Sequence, residues 1–296
     1  MTVERFAPSP TGPLHLGHAF SALTAYDAAR SAGGRFLLRI EDIDQGRARA
    51  EWEALIYEDL AWLGITWETP VMRQSERLDV YHETLKSLWD RALIYPCSCN
   101  RKDIATALSA PQEGAPMGPD GPVYPGTCRD KPRPKAMPGG MALRLDMRKA
   151  AEAVGPVAFT EIGEIHGTPE GTRHEITPAH LIENIGDVVL GRKDMGTSYH
   201  LSVVLDDAAQ DVTHVTRGAD LFEATAIHVL LQKLLGLPTP IYRHHRLIRD
   251  ENGKRLAKRD DARAIRLYRE DGVSPSEIRS IIGQDGAGGR AFSAAT

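Results

Sequence analysis

The sequence has no apolar run near the ~18 to 20 residues that a membrane-spanning helix needs. Its N-terminus has neither the basic segment nor the apolar core of a targeting peptide. We therefore expect a cytoplasmic protein without a membrane partner. Of the 296 residues, 42% are hydrophobic and 26% charged, which is typical of a globular chain with one sizeable core and smaller modules.

The chain also lacks an overall excess of basic residues. Its formal net charge is -4, so any contact with RNA must come from a local patch. Arg243 to Arg269 holds ten Lys or Arg against four acids, whereas Glu41 to Glu68 holds eight acids against two arginines. The first stretch is a candidate RNA or phosphate surface, although two differently charged solvated faces would give the same counts.

The usual phosphate-binding motifs are missing, namely the Gly-rich dinucleotide pattern and the Walker pattern. What stands in their place is "RFAPSPTGPLHLGHAFSALTAY", in which a strand over Val3 to Phe6 leads through a Pro- and Gly-rich turn into a helix over Gly17 to Ser31. His15 and His18 share one face of this helix start, and Gly17 between them admits a phosphate or a flat ring. Imidazoles there can donate to phosphate oxygens, but a metal pair or two ordinary surface histidines fit as well.

Strands and helices alternate through the first ninety residues. A second strand is predicted over Arg35 to Ile40, a helix containing Trp52 to Leu63 ends at Gly64, and another helix contains Tyr81 to Trp89. This alternation predicts an α/β fold with a doubly wound parallel sheet.

The pattern changes in the second part of the chain. Ser109 to Gly140 is rich in proline and glycine and predicts an inserted loop-rich module, and Gly163 to Asn184 has no assigned role. "YHLSVVLDDA" (Tyr199 to Ala208) predicts a buried strand, Asp211 to Leu221 a strand and a loop, and Ile227 to Leu235 a helix. We expect a catalytic domain over residues 1–92 and 181–238, an insert over 93–180, and a small, mainly helical module over 239–296.

A second phosphate-binding candidate is "GKRLAKRDD" (Gly253 to Asp261), a glycine turn followed by clustered cations. Cations on a loop can close on a triphosphate and its leaving pyrophosphate. Together with the first site, this segment favours nucleotidyl transfer.

These motifs resemble those of the class I aminoacyl-tRNA synthetases specific for glutamate. "APSPTGPLHLGH" is similar to their HIGH motif, "RLAKR" (Arg255 to Arg259) stands where their KMSKS loop belongs, and "RIEDID", "YHLSVVLDD" and "RGADL" are similar to other segments. The loop departs from the pattern at Arg255 and Ala257 but keeps Lys258. The resemblance implies a Rossmann-like catalytic domain that activates glutamate with ATP and Mg²⁺.

The resemblance also implies roles for individual residues. Arg5 and Arg217 would bind the carboxylates of glutamate, since guanidinium groups match carboxylates bidentately. Glu41 would bind the ammonium. The remaining glutamate-site residues would be Ala7, Ser9 and Tyr199, and the ATP-binding and catalytic residues would be His15, Gly17, His18 and Lys258.

Cysteine is scarce, and all three residues lie in one short stretch as Cys97, Cys99 and Cys128. An odd number in a cytosolic chain argues against disulfides and favours a structural Zn²⁺ site, although three unrelated buried thiols remain an alternative. From spacing alone the fourth ligand is Tyr124, Asp130 or water. The pattern is similar to the zinc knuckle of a shortened paralogue family of the glutamyl-tRNA synthetases, and that resemblance implies Tyr124.

Only 37 residues follow Arg259, too few for the anticodon-binding region of a full glutamyl enzyme. The shortened paralogue family attaches glutamate to queuosine, the wobble base of tRNA(Asp). The resemblance therefore implies L-glutamate, ATP and queuosine-containing tRNA(Asp) as partners, and we expect a monomer.

Three alternatives stay open. A truncated synthetase would charge the 3′ end of tRNA(Glu). A small-molecule adenylyltransferase would use the two histidines but leave the basic tail and the cysteines without a role. An inactive RNA-binding module would show no pyrophosphate exchange.

Overall fold

The computed structural model describes residues 1–108, 116–163, 169–248 and 263–284. The strands are β1 (Val3–Phe6), β2 (Arg35–Ile40), β3 (Glu68–Arg73), β4 (Ile94–Cys97), β5 (Met117–Gly118), β6 (Gly121–Pro122), β7 (Ala142–Leu145), β8 (Val157–Glu161), β9 (Thr172–Ile176), β10 (Val189–Gly191), β11 (His214–Gly218) and β12 (Ile241–His245). The helices are α1 (Leu16–Ser31), α2 (Ala50–Trp62), α3 (Leu78–Asp90), α4 (Arg101–Leu108), α5 (Met147–Val154), α6 (Pro178–His180), α7 (Tyr199–Ala209), α8 (Thr225–Leu235), α9 (Ile265–Glu270) and α10 (Pro275–Ile281). In these ranges no helix is long and apolar enough to cross a membrane.

Two sheets of mostly parallel strands meet at the centre of the molecule. The first has the order β1-β2-β3, and the second has the order β11-β12-β8-β9, in which only β9 runs antiparallel to its neighbour. The amide of Thr213, just before β11, donates to Val3 O at 3.0 Å. The amide of Val3 in turn donates to Thr213 Oγ1 at 2.8 Å, so β1 and β11 are adjacent.

Helices cover the central strands on both faces. Phe36, Leu38 and Ile40 of β2 pack in a core that contains residues of α1 and α2. Leu37, which points to the opposite face of the same strand, packs in a second core with residues of α3, α7 and α8. The predicted α/β class and doubly wound sheet are confirmed.

One predicted strand is wrong. Tyr199 to Ala208 lies in helix α7, not in a strand, and Ser198 caps this helix by accepting a hydrogen bond from Leu201 N. Residues on most sides of α7 are buried, and its apolar residues, Leu201 and Val203 to Leu205 among them, form a short run without a separate polar face. Such a run has no periodicity that separates a buried helix from a buried strand.

Strands β4 and β7 of the insert pair antiparallel, and β10, which follows the predicted insert in the sequence, extends them to a sheet of order β10-β7-β4. The Pro- and Gly-rich stretch forms the short β5–β6 hairpin and otherwise loops, where it is described. Residues 157–176, which we expected in the insert, form strands β8 and β9 beside β12. The domain ranges given above stay a prediction.

Candidate active site

Residues 15–18, here called the HLGH turn, form the N-terminus of α1. His15 is the N-cap, and its Nδ1 accepts from Gly17 N at 3.1 Å. His18 Nδ1 accepts from His15 N at 3.2 Å, and the two ring centroids are 3.8 Å apart. Because both Nδ1 atoms are acceptors, each neutral ring carries its proton on Nε2. The turn therefore offers two imidazole donors beside the helix N-terminus.

Gly17 has a steric role in this turn. A Cβ at position 17 would lie 3.0 Å from His15 Cε1 and 3.2 Å from His15 Nδ1. Glycine therefore lets the His15 ring fold back over the backbone. The approach of a ligand to Gly17, which the sequence predicted, stays a prediction.

The chain returns to the HLGH turn shortly after the predicted phosphate-binding segment Gly253 to Asp261. Ile265 N donates to Leu14 O at 2.8 Å, and Ala264 forms an isolated bridge with His15. Lys258 and the predicted loop over Gly253 to Asp261 lie outside the described residues. What the structure establishes is that the residues following this segment are attached to the HLGH turn.

Arg5 on β1 and Glu41 after β2 lie beside two further buried charges. Arg5 Nε and Arg39 Nη1 both donate to Asp207 Oδ1, at 3.0 and 2.8 Å, and Arg39 Nη2 donates to Glu41 Oε1 at 3.3 Å. Burial raises the pKa of Glu41 even though the guanidinium groups of Arg39 and Arg5 oppose it. Burial also acts to raise the pKa of Asp207, but Arg5 and Arg39 outweigh it and hold the pKa low.

Arg217 on β11 is surrounded by neutral acceptors. Its Nε donates to His244 Nε2 at 3.0 Å, its Nη1 contacts His228 Nδ1 at 2.9 Å, and its Nη2 donates to Thr225 Oγ1 at 2.8 Å. It is 5% exposed, yet no carboxylate among the described residues forms an ion pair with it. Arg5 and Arg39, by contrast, each contact carboxylates. A buried cation without an anion is costly, so this site favours an anionic ligand.

Tyr199 at the start of α7 connects these two groups of charges. Burial raises the pKa of its phenol. The nearby charges of Glu41 and Asp207 also raise this pKa, whereas those of Arg217 and Arg5 lower it. The structure thus brings together the predicted Arg5, Glu41, Tyr199 and Arg217. Ala7 and Ser9 lie in the loop after β1, where Pro8 O accepts a hydrogen bond from Glu41 N at 3.0 Å.

The three cysteines form one cluster. Their sulfur atoms all lie within 4.8 Å of one another, and the Sγ atoms of Cys99 and Cys128 are 3.6 Å apart. Tyr124 Oη lies 3.4 Å from Cys97 Sγ and 3.4 Å from Cys99 Sγ. Zn–S bonds of ~2.3 Å in a tetrahedron require sulfur atoms about 3.8 Å apart, so these donors fit the ion. The cluster can hold a metal.

Cations around the cluster match its donors. Arg144 Nε lies 3.4 Å from Cys97 Sγ, and its guanidinium carbon is 3.9 Å from the centre of the Tyr124 ring. Arg129 donates to Asp187, which also accepts from the Tyr95 hydroxyl. Several thiolates around one dication leave an excess of negative charge, which Arg144 is placed to offset.

Sequence reasoning missed four residues of this site, namely Arg39, Asp207, His228 and His244. The two aspartates near the end of α7 were visible in the sequence, but assigning this segment to a strand gave no reason to place Asp207 beside Arg5. His228 lies between apolar residues, which is equally typical of a histidine in a core, and His244 lies between Arg243 and His245 in a basic stretch that gave it no separate role. Only the pairing of β11 with β12 brings His244 beside Arg217.

Comparison with known proteins gives a consistent result. The family model of the class I tRNA synthetases (E and Q), catalytic domain, matches residues 1–291. The chain is 64% identical to the glutamyl-Q tRNA(Asp) synthetase of Rhodobacter capsulatus, over 95% of this chain and 99% of that protein. It is 39% identical to the glutamyl-Q tRNA(Asp) synthetase of Geobacter sulfurreducens, over 95% of this chain and 84% of that protein.

A solved structure shares the fold. A crystal structure of a glutamate tRNA ligase from Elizabethkingia meningosepticum in complex with its amino acid matches with a TM-score of 0.67 and 28% identity. The match covers 88% of this chain but only 52% of that one. The chain therefore spans about half the length of that ligase.

Proposed function

The chain belongs to the class I tRNA synthetases of the glutamate and glutamine type, and we propose that it activates L-glutamate with ATP and transfers it to queuosine in tRNA(Asp). The curated relatives that carry this activity in their names support the proposal, because the chain aligns with 99% of one of them and 84% of another. It is a ligase of the same architecture as its relatives.

The observation that carries the choice of substrate is the charge of Arg217, with which no carboxylate among the described residues forms an ion pair. Its side chain is held by His228, His244 and Thr225, all of them neutral acceptors, so its position does not depend on the ligand. A carboxylate of glutamate would supply the missing anion. Arg5 would take the other carboxylate, and Glu41 would take the ammonium.

Activation follows from this placement. An oxygen of the α-carboxylate attacks the α-phosphorus of ATP, the bond to the β-phosphate oxygen breaks, and pyrophosphate leaves. The Nε2 protons of His15 and His18 would stabilise the charge that builds up on the phosphate oxygens. Lys258 would neutralise the leaving pyrophosphate, and Mg²⁺ bound to the triphosphate would share that charge. In the second step a hydroxyl of queuosine would attack the acyl carbon, the bond between that carbon and the phosphate oxygen would break, and AMP and the hydroxyl proton would be released.

The cysteine cluster would hold one structural Zn²⁺ through Cys97, Cys99, Cys128 and Tyr124. When bound, the ion would fix the loops of the insert, and it would take no part in the chemistry. The insert would then present a fixed surface to the RNA.

An acylation assay tests the proposal. Labelled glutamate is offered with ATP to tRNA(Asp) with and without queuosine, and pyrophosphate exchange is measured without RNA. We expect glutamate-dependent exchange without RNA and acylation only of the queuosine-containing tRNA. Label on the 3′ end of tRNA(Glu) would instead identify a truncated charging enzyme, and a lack of exchange would contradict activation itself.

A further inference from the structure

A chain of hydrogen bonds connects Arg217 with the surface of the insert. Arg217 Nη1 lies 2.9 Å from His228 Nδ1, and His228 Nε2 lies 3.0 Å from His200 Nδ1. His200 Nε2 then lies 3.0 Å from each carboxylate oxygen of Asp120, in the turn between β5 and β6. The two histidines are buried in the main domain, whereas Asp120 belongs to the insert.

The direction of every bond in this chain is set by its two ends, a guanidinium that only donates and a carboxylate that only accepts. A guanidinium only donates, so His228 Nδ1 has no proton and its neutral ring carries the proton on Nε2. That proton points at His200 Nδ1, which must accept it. His200 then carries its own proton on Nε2 and donates it to Asp120. All three donors point from Arg217 toward the carboxylate.

Protonation of either histidine would break this order. An added proton on His228 Nδ1 would face the guanidinium, and one on His200 Nδ1 would face the His228 donor. Burial and the charge of Arg217 hold the pKa of His228 well below its usual value, so the ring stays neutral. The order of donors and acceptors between Arg217 and Asp120 can therefore change only if a histidine changes its tautomer.

A second branch from Arg217 ends inside the protein. Arg217 Nε donates to His244 Nε2, and His244 Nδ1 contacts Glu161 Oε2 at 2.5 Å. Both partners in this branch are completely buried, so their arrangement is set within the main domain. The first branch ends instead at the Asp120 carboxylate, whose side chain is 54% exposed. Its position depends on the insert.

From this geometry we infer that Asp120 is a positioning residue for the glutamate site, since it selects the tautomers of His200 and His228 that hold Arg217. The inference rests on the proposed function, because it takes glutamate as the ligand of Arg217. Asp120 lies in the cysteine-bearing insert, four residues before Tyr124. The inference therefore connects this insert with Arg217, the cation that binds the substrate's carboxylate. Displacement of the β5–β6 turn would thus weaken glutamate binding without any contact between the insert and glutamate.

Substitution of Asp120 tests the inference. In Asp120→Ala, His200 loses the acceptor that selects its Nε2 proton, and the KM for glutamate in pyrophosphate exchange should rise about three- to tenfold with kcat nearly unchanged. Asp120→Asn keeps an oxygen acceptor at the same place, so its KM should stay near that of the unmodified protein. Asp90→Ala, which removes an exposed carboxylate on α3, serves as the matched control and should leave the KM unchanged.

A spectroscopic measurement separates positioning from simple stability. Nitrogen-15 NMR of the imidazoles should show His200 and His228 with their protons on Nε2, and Asp120→Ala should increase the Nδ1-protonated form of His200. An unchanged KM or an unchanged His200 tautomer in Asp120→Ala would overturn the inference. Absence of exchange by the unmodified protein would contradict the proposed function instead, and the NMR result would still decide the inference.

A buried pair of variants provides a second test. His200→Gln can accept from His228 and donate to Asp120, whereas His200→Leu can do neither. We expect the glutamine variant to keep a KM near that of the unmodified protein and the leucine variant to raise it, with circular dichroism checking that both fold. Equal KM values in the two folded variants would also overturn the inference.

Discussion

At the scale of single residues, Arg217 is the group on which substrate choice depends. Arg217→Ala should reduce kcat/KM for glutamate in pyrophosphate exchange at least about 100-fold, since charge-assisted hydrogen bonds each contribute ~1.5 to 3 kcal/mol. Arg217→Lys should restore little of this, because an ammonium cannot engage His228, His244 and Thr225 in the fork that holds the guanidinium.

The matched control for this pair is Arg35→Ala. Arg35 lies on β2 with its side chain 37% exposed and pairs with Glu68 at the surface. Its loss should leave exchange unchanged. Unchanged exchange in the folded Arg217→Ala protein would remove Arg217 from the glutamate site.

Glu4 shows how burial alone makes the stability of the protein depend on pH. Its side chain is 0% exposed and Oε1 accepts from Thr216 Oγ1, whereas Oε2 has no hydrogen-bond partner in the part of the chain that the structure describes. Burial raises the pKa of Glu4 from 4.5 to about 7. The neutral form is therefore favoured in the folded protein, and the stability that it contributes is complete below 4.5 and is lost as the pH rises through about 7.

Glu4→Gln should remove this pH dependence. We expect the free energy of unfolding to exceed that of the unmodified protein by up to ~3 kcal/mol at about pH 8, and the two to converge near about pH 5. Urea unfolding at both pH values measures the difference, with Glu83→Gln at the surface as the control. A variant that is less stable than the unmodified protein at the higher pH would contradict this account of Glu4.

At the scale of elements, the sequence predicts most of the fold where its periodicity is clear. The strands β1 and β2 and helices α1, α3 and α8 lie where the sequence predicted them, α3 and α8 from the helical spacing of their apolar residues. Helix α7 was misassigned because it is buried on most sides, and burial on most sides removes the polar face that marks a helix.

The candidate site was predictable in part. Motif resemblance located Arg5, Glu41, Tyr199 and Arg217, which the structure brings together. The chain from Arg217 to Asp120 was not predictable, because its members are 80 and 28 residues apart at two of its bonds. Hydrogen bonds between such distant positions have no local pattern, and they become visible only when the insert is placed against α7.

The HLGH turn provides a prediction at this scale. Gly17→Ala should displace the His15 ring, since the new methyl group would lie 3.0 Å from His15 Cε1. A displacement of this kind should lower kcat for exchange about ten- to hundredfold, with little loss of thermal stability, because alanine favours the helix.

Gly139→Ala is a suitable control for this substitution. A Cβ at this exposed glycine would contact nothing within 4 Å. Its kcat and melting temperature should match those of the unmodified protein. Equal kcat values in Gly17→Ala and Gly139→Ala would show that the His15 orientation does not matter for activation.

At the scale of the whole molecule, the cysteine cluster should determine how firmly the insert is held. We expect metal analysis to find one zinc per chain. Cys128→Ser should reduce the zinc content, and it should lower the free energy of unfolding by several kcal/mol. Tyr124→Phe should lose zinc more readily than Asp130→Asn. The opposite order would assign the fourth ligand to Asp130, and a stable, active protein without metal would remove the site.

The seam between β1 and β11 has a consequence for ligand binding. Arg5 lies on one side of it and Arg217 on the other, and in the protein itself the Thr213 to Val3 hydrogen bonds join the two sheets there. A dicarboxylate that binds both arginines would connect the two sheets at this junction and stabilise their packing. Amide hydrogen exchange in both β1 and β11 should then slow when glutamate is added. It should remain unaltered when the added amino acid has no carboxylate besides its α-carboxylate.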